Sequence, residues 1–163
     1  MEQDLTSLSQ CAILYLGGDH GGYHLKETLK EYLKSISQPF EDLGPFNTDR
    51  VDHPDYAVKV CEKVLENPLN KGLLICGSGV GIAVAANKFK GIRCGLCYDY
   101  SSAISAKTRD YCNVIAMGGK LIGHEVARLI LEVFLKYPIE KDKAYYERMK
   151  KIEEIEKKQS IEK

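Results

Sequence analysis

Residues 72–89, GLLICGSGVGIAVAANKF, decide the fold. An unbroken apolar run, GLLIC, ends in Cys76, and Gly77, Gly79 and Gly81 follow within five residues. The alanine-rich segment VGIAVAANKF then reads as a helix. A short apolar run closed by glycines reads as a fully buried strand, and strand, glycine turn and helix in succession are the repeating unit of a parallel α/β sheet. The glycines permit positive φ and close backbone approach, so consecutive N–H groups can point inward as an anion-binding nest. The spacing is GxGxG, not the GxGxxG of dinucleotide folds, and no acidic residue follows where a ribose would need one. The turn suits a smaller anion, a phosphate or an oxyanion formed during reaction.

Outward from this stretch the alternation repeats. AILYLGG (12–18) reads as a buried strand, and YHLKETLKEYLKSI (23–36) as a helix with Leu25, Leu29, Tyr32, Leu33 and Ile36 on one face. PFEDLG (39–44) is a short strand, and HPDYAVKVCEKVLEN (53–67) a helix with Pro54 near its start. Beyond the central stretch come strand IRCGLC, helix SSAISAKTR, strand NVIAMG and helix HEVARLILEVFLKY. Near-continuous apolar strands alternating with amphipathic helices predict a single three-layer α/β/α Rossmann-like domain with a five-stranded parallel sheet. Ligands of such sheets sit beyond the carboxyl ends of the strands, where GGDHGG, CGSGVG and MGGKLIG fall. The domain is expected over residues 1–139, with a charged helical arm over 140–163. In that arm Tyr145, Met149, Ile152 and Ile155 keep a narrow apolar stripe, which suits either a partner subunit or the surface of its own domain.

With 23 basic and 23 acidic side chains the formal net charge is zero, which gives no bulk attraction to nucleic acid or to an anionic membrane. The first ten residues lack the pattern of a signal peptide, and no apolar stretch is long enough to span a bilayer. A cytoplasmic protein is expected, and its six cysteines are therefore read as free thiols. Cys94 and Cys97 form a lone CxxC on a strand, where residues three apart face opposite ways, so core filling is expected rather than metal binding.

The candidate chemistry lies in the turns. Cys76, at a strand end beside the nest, is either a small apolar filler or a thiol placed as nucleophile or proton-transfer base. Asp19 and His20 are either a helix cap with a surface histidine or a carboxylate for sugar hydroxyls beside a proton shuttle. Lys120 and Arg148 are possible phosphate partners, or plain solvated cations.

Together GGDHGGYHLK, DRVDHPDYA, LLICGSGVGIAVAANKFKGIRCGLC and NVIAMGGKLIG resemble the type B ribose-5-phosphate isomerase family, which includes galactose-6-phosphate isomerase subunits. The likeness runs from residue 12 to 137 and weakens to about 156. It implies an aldose–ketose isomerase for ribose 5-phosphate and ribulose 5-phosphate, with Cys76 as the base moving a proton between C1 and C2. Gly77, Ser78, Gly79, Val80 and Gly81 would hold the enediolate oxygens, with Ser78 standing at a Ser/Thr position of the family, and Asp19 and His20 would bind substrate. It also implies no metal or organic cofactor, a homodimer or homotetramer with sites at the subunit boundary, and an arm that crosses to the partner. Several positions depart from the family pattern. Arg109 and Asp110 stand where members carry a His-Asn pair with a ring-opening histidine, and arginine stays protonated near neutrality. Lys120 replaces the usual arginine, Ala144 stands in place of another while Arg148 is kept, and His53 replaces a common tyrosine. Arg109 is expected either to pair with Asp110 or to help Lys120 hold phosphate. The galactose-type subunits also lack the ring-opening histidine, so a hexose 6-phosphate isomerase is the alternative, and a non-catalytic sugar-phosphate binding subunit a third.

Overall fold

The computed structural model describes residues 11–161; the first ten residues read above lie outside the described residues. The chain runs β1 (Leu14–Gly18), α1 (Tyr23–Ser35), β2 (Phe40–Asp42), α2 (His53–Leu65), β3 (Lys71–Cys76), α3 (Val80–Ala86), β4 (Cys94–Leu96), α4 (Tyr100–Ile104), β5 (Val114–Gly118), α5 (His124–Lys136) and α6 (Lys143–Ile161). The five strands form one parallel sheet in the order β2-β1-β3-β5-β4.

Side-chain alternation along the strands divides the core in two. Leu14, Leu16, Leu73, Ile75, Ile115 and Met117 face one side, where α1 and α5 cover them with Leu25, Leu29, Leu33, Ile130 and Phe134. Tyr15, Leu74, Val114 and Ala116 face the other, under Val60 and Val64 of α2 and Ile82 and Ala86 of α3. Crossovers stepping one way along the sheet (α2, α3) lie on one face and those stepping back (α1, α4) on the other, as right-handed connections require. The lone CxxC is divided by the same alternation: Cys94 joins one core and Cys97 the other. No cluster of metal-binding side chains occurs among the described residues, and no described helix is long and apolar enough to cross a membrane.

Two elements differ from expectation. The segment 101–109 is an α-helix only to Ile104, and Ser105–Arg109 widens into a π-turn closed by Asp110 N–H on Ser105 O at 2.9 Å. This places Ala106, Lys107 and Thr108 inward together. The helix after Cys76 stops at Ala86, because the Asn87 side chain leaves it to pair with both backbone groups of Cys94 at 2.8 and 2.9 Å. The arm packs through Met149, with Tyr145 and Tyr146, onto Tyr111 and Ile139 of its own chain, and Glu156 accepts the Gly91 N–H at 3.0 Å. Ile152 and Ile155 stay largely exposed beside a groove of about 470 Å³ against β4.

Candidate active site

At the carboxyl edge of the sheet the connection from β1 leaves towards β2 while β3 lies on its other flank. That divergence makes the turns after β1 and β3 the switch point of the sheet, the place where ligands of parallel α/β sheets bind. The turn after β1 is held by Asp19, whose Oδ1 accepts N–H bonds from Gly21 at 2.8 Å and Gly22 at 3.2 Å. The His20 ring is anchored by the backbone of Val51, with Nδ1 3.3 Å from its O and 3.4 Å from its N. The two turns touch: a methyl group on Gly21 would come within 2.9 Å of Gly77 Cα.

The turn after β3 carries Cys76, 4% exposed, whose sulfur accepts the Gly79 N–H at 3.1 Å. Gly79 has φ +80°, and a methyl group there would meet the Met117 carbonyl carbon at 2.7 Å. Only glycine fits both the conformation and the space. The Ser78 hydroxyl accepts the Val80 N–H at 3.2 Å, while Ser78 O accepts the Tyr98 hydroxyl at 2.9 Å. The N–H groups of Gly77, Ser78 and Gly81 have no hydrogen-bond partner among the described residues. The stem of Lys120 crosses Gly77, its Cδ 3.6 Å from where a methyl group would stand.

The chain thus gathers Asp19, His20, Cys76, Ser78, the glycines and Lys120 at one edge. It does not bring Arg109, Asp110 and Arg148 to them. The π-turn ends below the start of β5, so these residues lie near the amino edge, roughly 15 Å of strand away. There Arg109 bonds to Glu140 at 3.0 Å rather than to Asp110, and that bond and the carboxylate charge raise its already high pKa. Arg109 and Arg148 both lie over the Tyr145 ring, at 5.9 and 5.4 Å from its centroid. Two residues of the carboxyl edge had no role assigned from the sequence, Tyr98 and His53, the latter noted only as a replacement for a family tyrosine. Tyr98 gave no signal, since it follows the short strand β4 by two positions. His53 had one, standing directly before Pro54 at a helix start on the ligand edge.

The sequence profile described as ribose/galactose isomerase matches residues 14–152. The chain belongs to this family. It is an isomerase similar to ribose-5-phosphate isomerase B of Escherichia coli K12, at 38% identity over 73% of this chain and 80% of that one. A galactose-6-phosphate isomerase subunit of Clostridium acetobutylicum is 36% identical over 88% of this chain and 83% of its own. Among solved structures, the ribose-5-phosphate isomerase B of Clostridium thermocellum superposes with a TM-score of 0.85 at 35% identity, covering 90% of this isomerase and 98% of that chain.

Proposed function

We propose that this isomerase interconverts ribose 5-phosphate and ribulose 5-phosphate through an enediolate, with Cys76 as the base. The observation that carries the proposal is the turn itself: it holds together one sulfur that accepts the Gly79 N–H and the N–H groups of Gly77, Ser78 and Gly81, which have no hydrogen-bond partner among the described residues. Cys76 removes the C2 proton of the open-chain aldose, and the electron pair moves through C1 onto the carbonyl oxygen. The N–H groups stabilise that oxygen where the charge develops, and they need no reorganisation to do so. Ser78, exposed at the mouth, exchanges the proton between O2 and O1, and Cys76 returns its proton to C1. Asp19 and His20 hold substrate hydroxyls, and Lys120 attracts the phosphate. A module that only binds has no use for the thiol.

Arg109, Asp110 and Arg148 reach a substrate on Cys76 only from a second subunit, because each chain holds them at its opposite edge. The proposal therefore includes a homodimer or homotetramer with shared sites, in which the arm completes the neighbour. A galactose-type hexose 6-phosphate isomerase is the second reading, supported by the likeness to the Clostridium acetobutylicum subunit over more of this chain than the Escherichia coli relative covers. A panel of phosphorylated aldopentoses and aldohexoses separates the two. Turnover of ribose 5-phosphate is expected to exceed that of every hexose 6-phosphate. The reverse order would transfer the assignment to the galactose type.

A further inference from the structure

Resting on the pentose reading above, the geometry points to His53 as the catalytic residue that opens the sugar ring. A furanose has no carbonyl, so the proton transfer at Cys76 cannot start until the bond from C1 to the ring oxygen breaks. Some group must protonate that oxygen and remove the proton from the C1 hydroxyl. Arg109 cannot do so: it stays protonated, and it is paired with Glu140.

His53 is the first residue of α2, which begins on the carboxyl edge, and Pro54 sets the helix start directly after it. Its imidazole lies against Gly81, where a methyl group would come within 2.7 Å of Nε2 and 2.8 Å of Cε1. Glycine at 81 thus leaves room for the ring beside the donors that receive the substrate. His53 is half-buried, and neither ring nitrogen has a hydrogen-bond partner among the described residues. The neighbouring imidazole, His20, is committed through Nδ1 to the backbone of Val51. Of the two, His53 is the ring left open to exchange protons, and an imidazole can both donate and accept one.

The step balances on this one side chain. The imidazolium gives its proton to the ring oxygen as the C1–O4 bond breaks and that oxygen takes the electron pair. The neutral imidazole left behind takes the proton from the C1 hydroxyl as C1=O forms. The ring of His53 ends as it began, and the aldehyde is delivered to the turn carrying Cys76.

The test compares ribose 5-phosphate with 4-deoxyribose 5-phosphate, which has no hydroxyl at C4 and cannot close to a furanose. In His53→Gln and His53→Asn, with melting curves checked against the parent, kcat/KM on ribose 5-phosphate is expected to fall by about 10²-fold, the usual worth of a general acid–base group. On the acyclic analogue it is expected to stay within about twofold of the parent, because the ring-opening contribution is absent there. A misfolded or displaced site lowers both substrates together. Equal losses on the two substrates, or no loss on ribose 5-phosphate in either variant, would overturn the role. A parent enzyme inactive on both would instead remove the pentose reading, and the inference with it.

Discussion

Cys76 differs from the other cysteines of the chain in what surrounds its sulfur. Burial pushes Cys61, Cys97 and Cys112 up to about 12 and Cys11 up to about 11, and it raises Cys94 as well. Those thiols are fillers. Cys76 instead sits at a strand end with a backbone N–H donated to it. Cys76→Ala removes the proposed base but little packing, so kcat is expected to drop by at least about 10²-fold. Its melting temperature should remain close to that of the parent, and near-normal turnover would sink the mechanism. Lys71 is the opposite case, a charge without compensation. It is 1% exposed, its Nζ has no hydrogen-bond partner among the described residues, and burial lowers its pKa to about 8. The folded state therefore holds fewer protons than the unfolded chain between about pH 8 and 10.5, and stability rises with pH through that window as the penalty is relieved. Below pH 8 both states are protonated and the full penalty remains. Lys71→Met is expected to stabilise the protein at pH 7 by about 1–3 kcal/mol, the cost of a buried unsatisfied group. It should also flatten the rise between pH 8 and 10 in urea titrations, and an unchanged slope would show that Lys71 is not its source.

At the scale of the element, the connection from β3 to α3 has one solution. Gly79 takes the left-handed conformation and lies against the β5 backbone, so its turn cannot shift without moving Gly118. Gly79→Val adds about 1–3 kcal/mol of backbone strain to a collision with main-chain atoms. It should lower the urea midpoint as well as abolish turnover, whereas blocking of the nest alone would leave stability intact. At the edge strand β2 a half-buried carboxylate joins two elements. Asp42 of β2 accepts from Lys26 at 2.6 Å and from Lys30 at 2.7 Å, both on α1. Burial alone would raise this carboxyl, but the two lysines and the Gly44 N–H outweigh it and hold it below its ordinary value. That clamp fixes the end of β2, where the loop leading to His53 begins.

At the scale of the molecule, the decisive feature is that the chain holds the residues of the proposed site at opposite edges of its sheet. A shared site makes a quantitative prediction. Arg148→Ala is expected to raise KM for the phosphorylated substrate, and Cys76→Ala to abolish turnover. When the two inactive or weakened chains are unfolded together and refolded, random pairing puts one intact site in each mixed dimer. About a quarter of parental activity should return at low substrate concentration. No recovery above the sum of the separate variants would show that Arg148 does not reach the neighbour's Cys76.

The sequence by itself determined the parallel α/β architecture, the positions of the strands and the edge where the turns gather. Those depend on local periodicity and on glycines whose conformational role is written into the chain, as GLLICGSGVG shows. The cysteine-bearing turn and its partners Asp19, His20 and Lys120 were legible for the same reason, since each directly follows a strand. Only the tertiary structure decided that Arg109 bonds to Glu140 rather than to Asp110 or Lys120, and that the arm packs through Met149 on its own chain. It alone also showed that His53 lies against Gly81. Arg109 and Glu140 are 31 residues apart, His53 and Gly81 28, and Met149 and Tyr111 38. Which side chains meet across such a distance is set by how the helices pack on the sheet, and no local pattern in the chain encodes it.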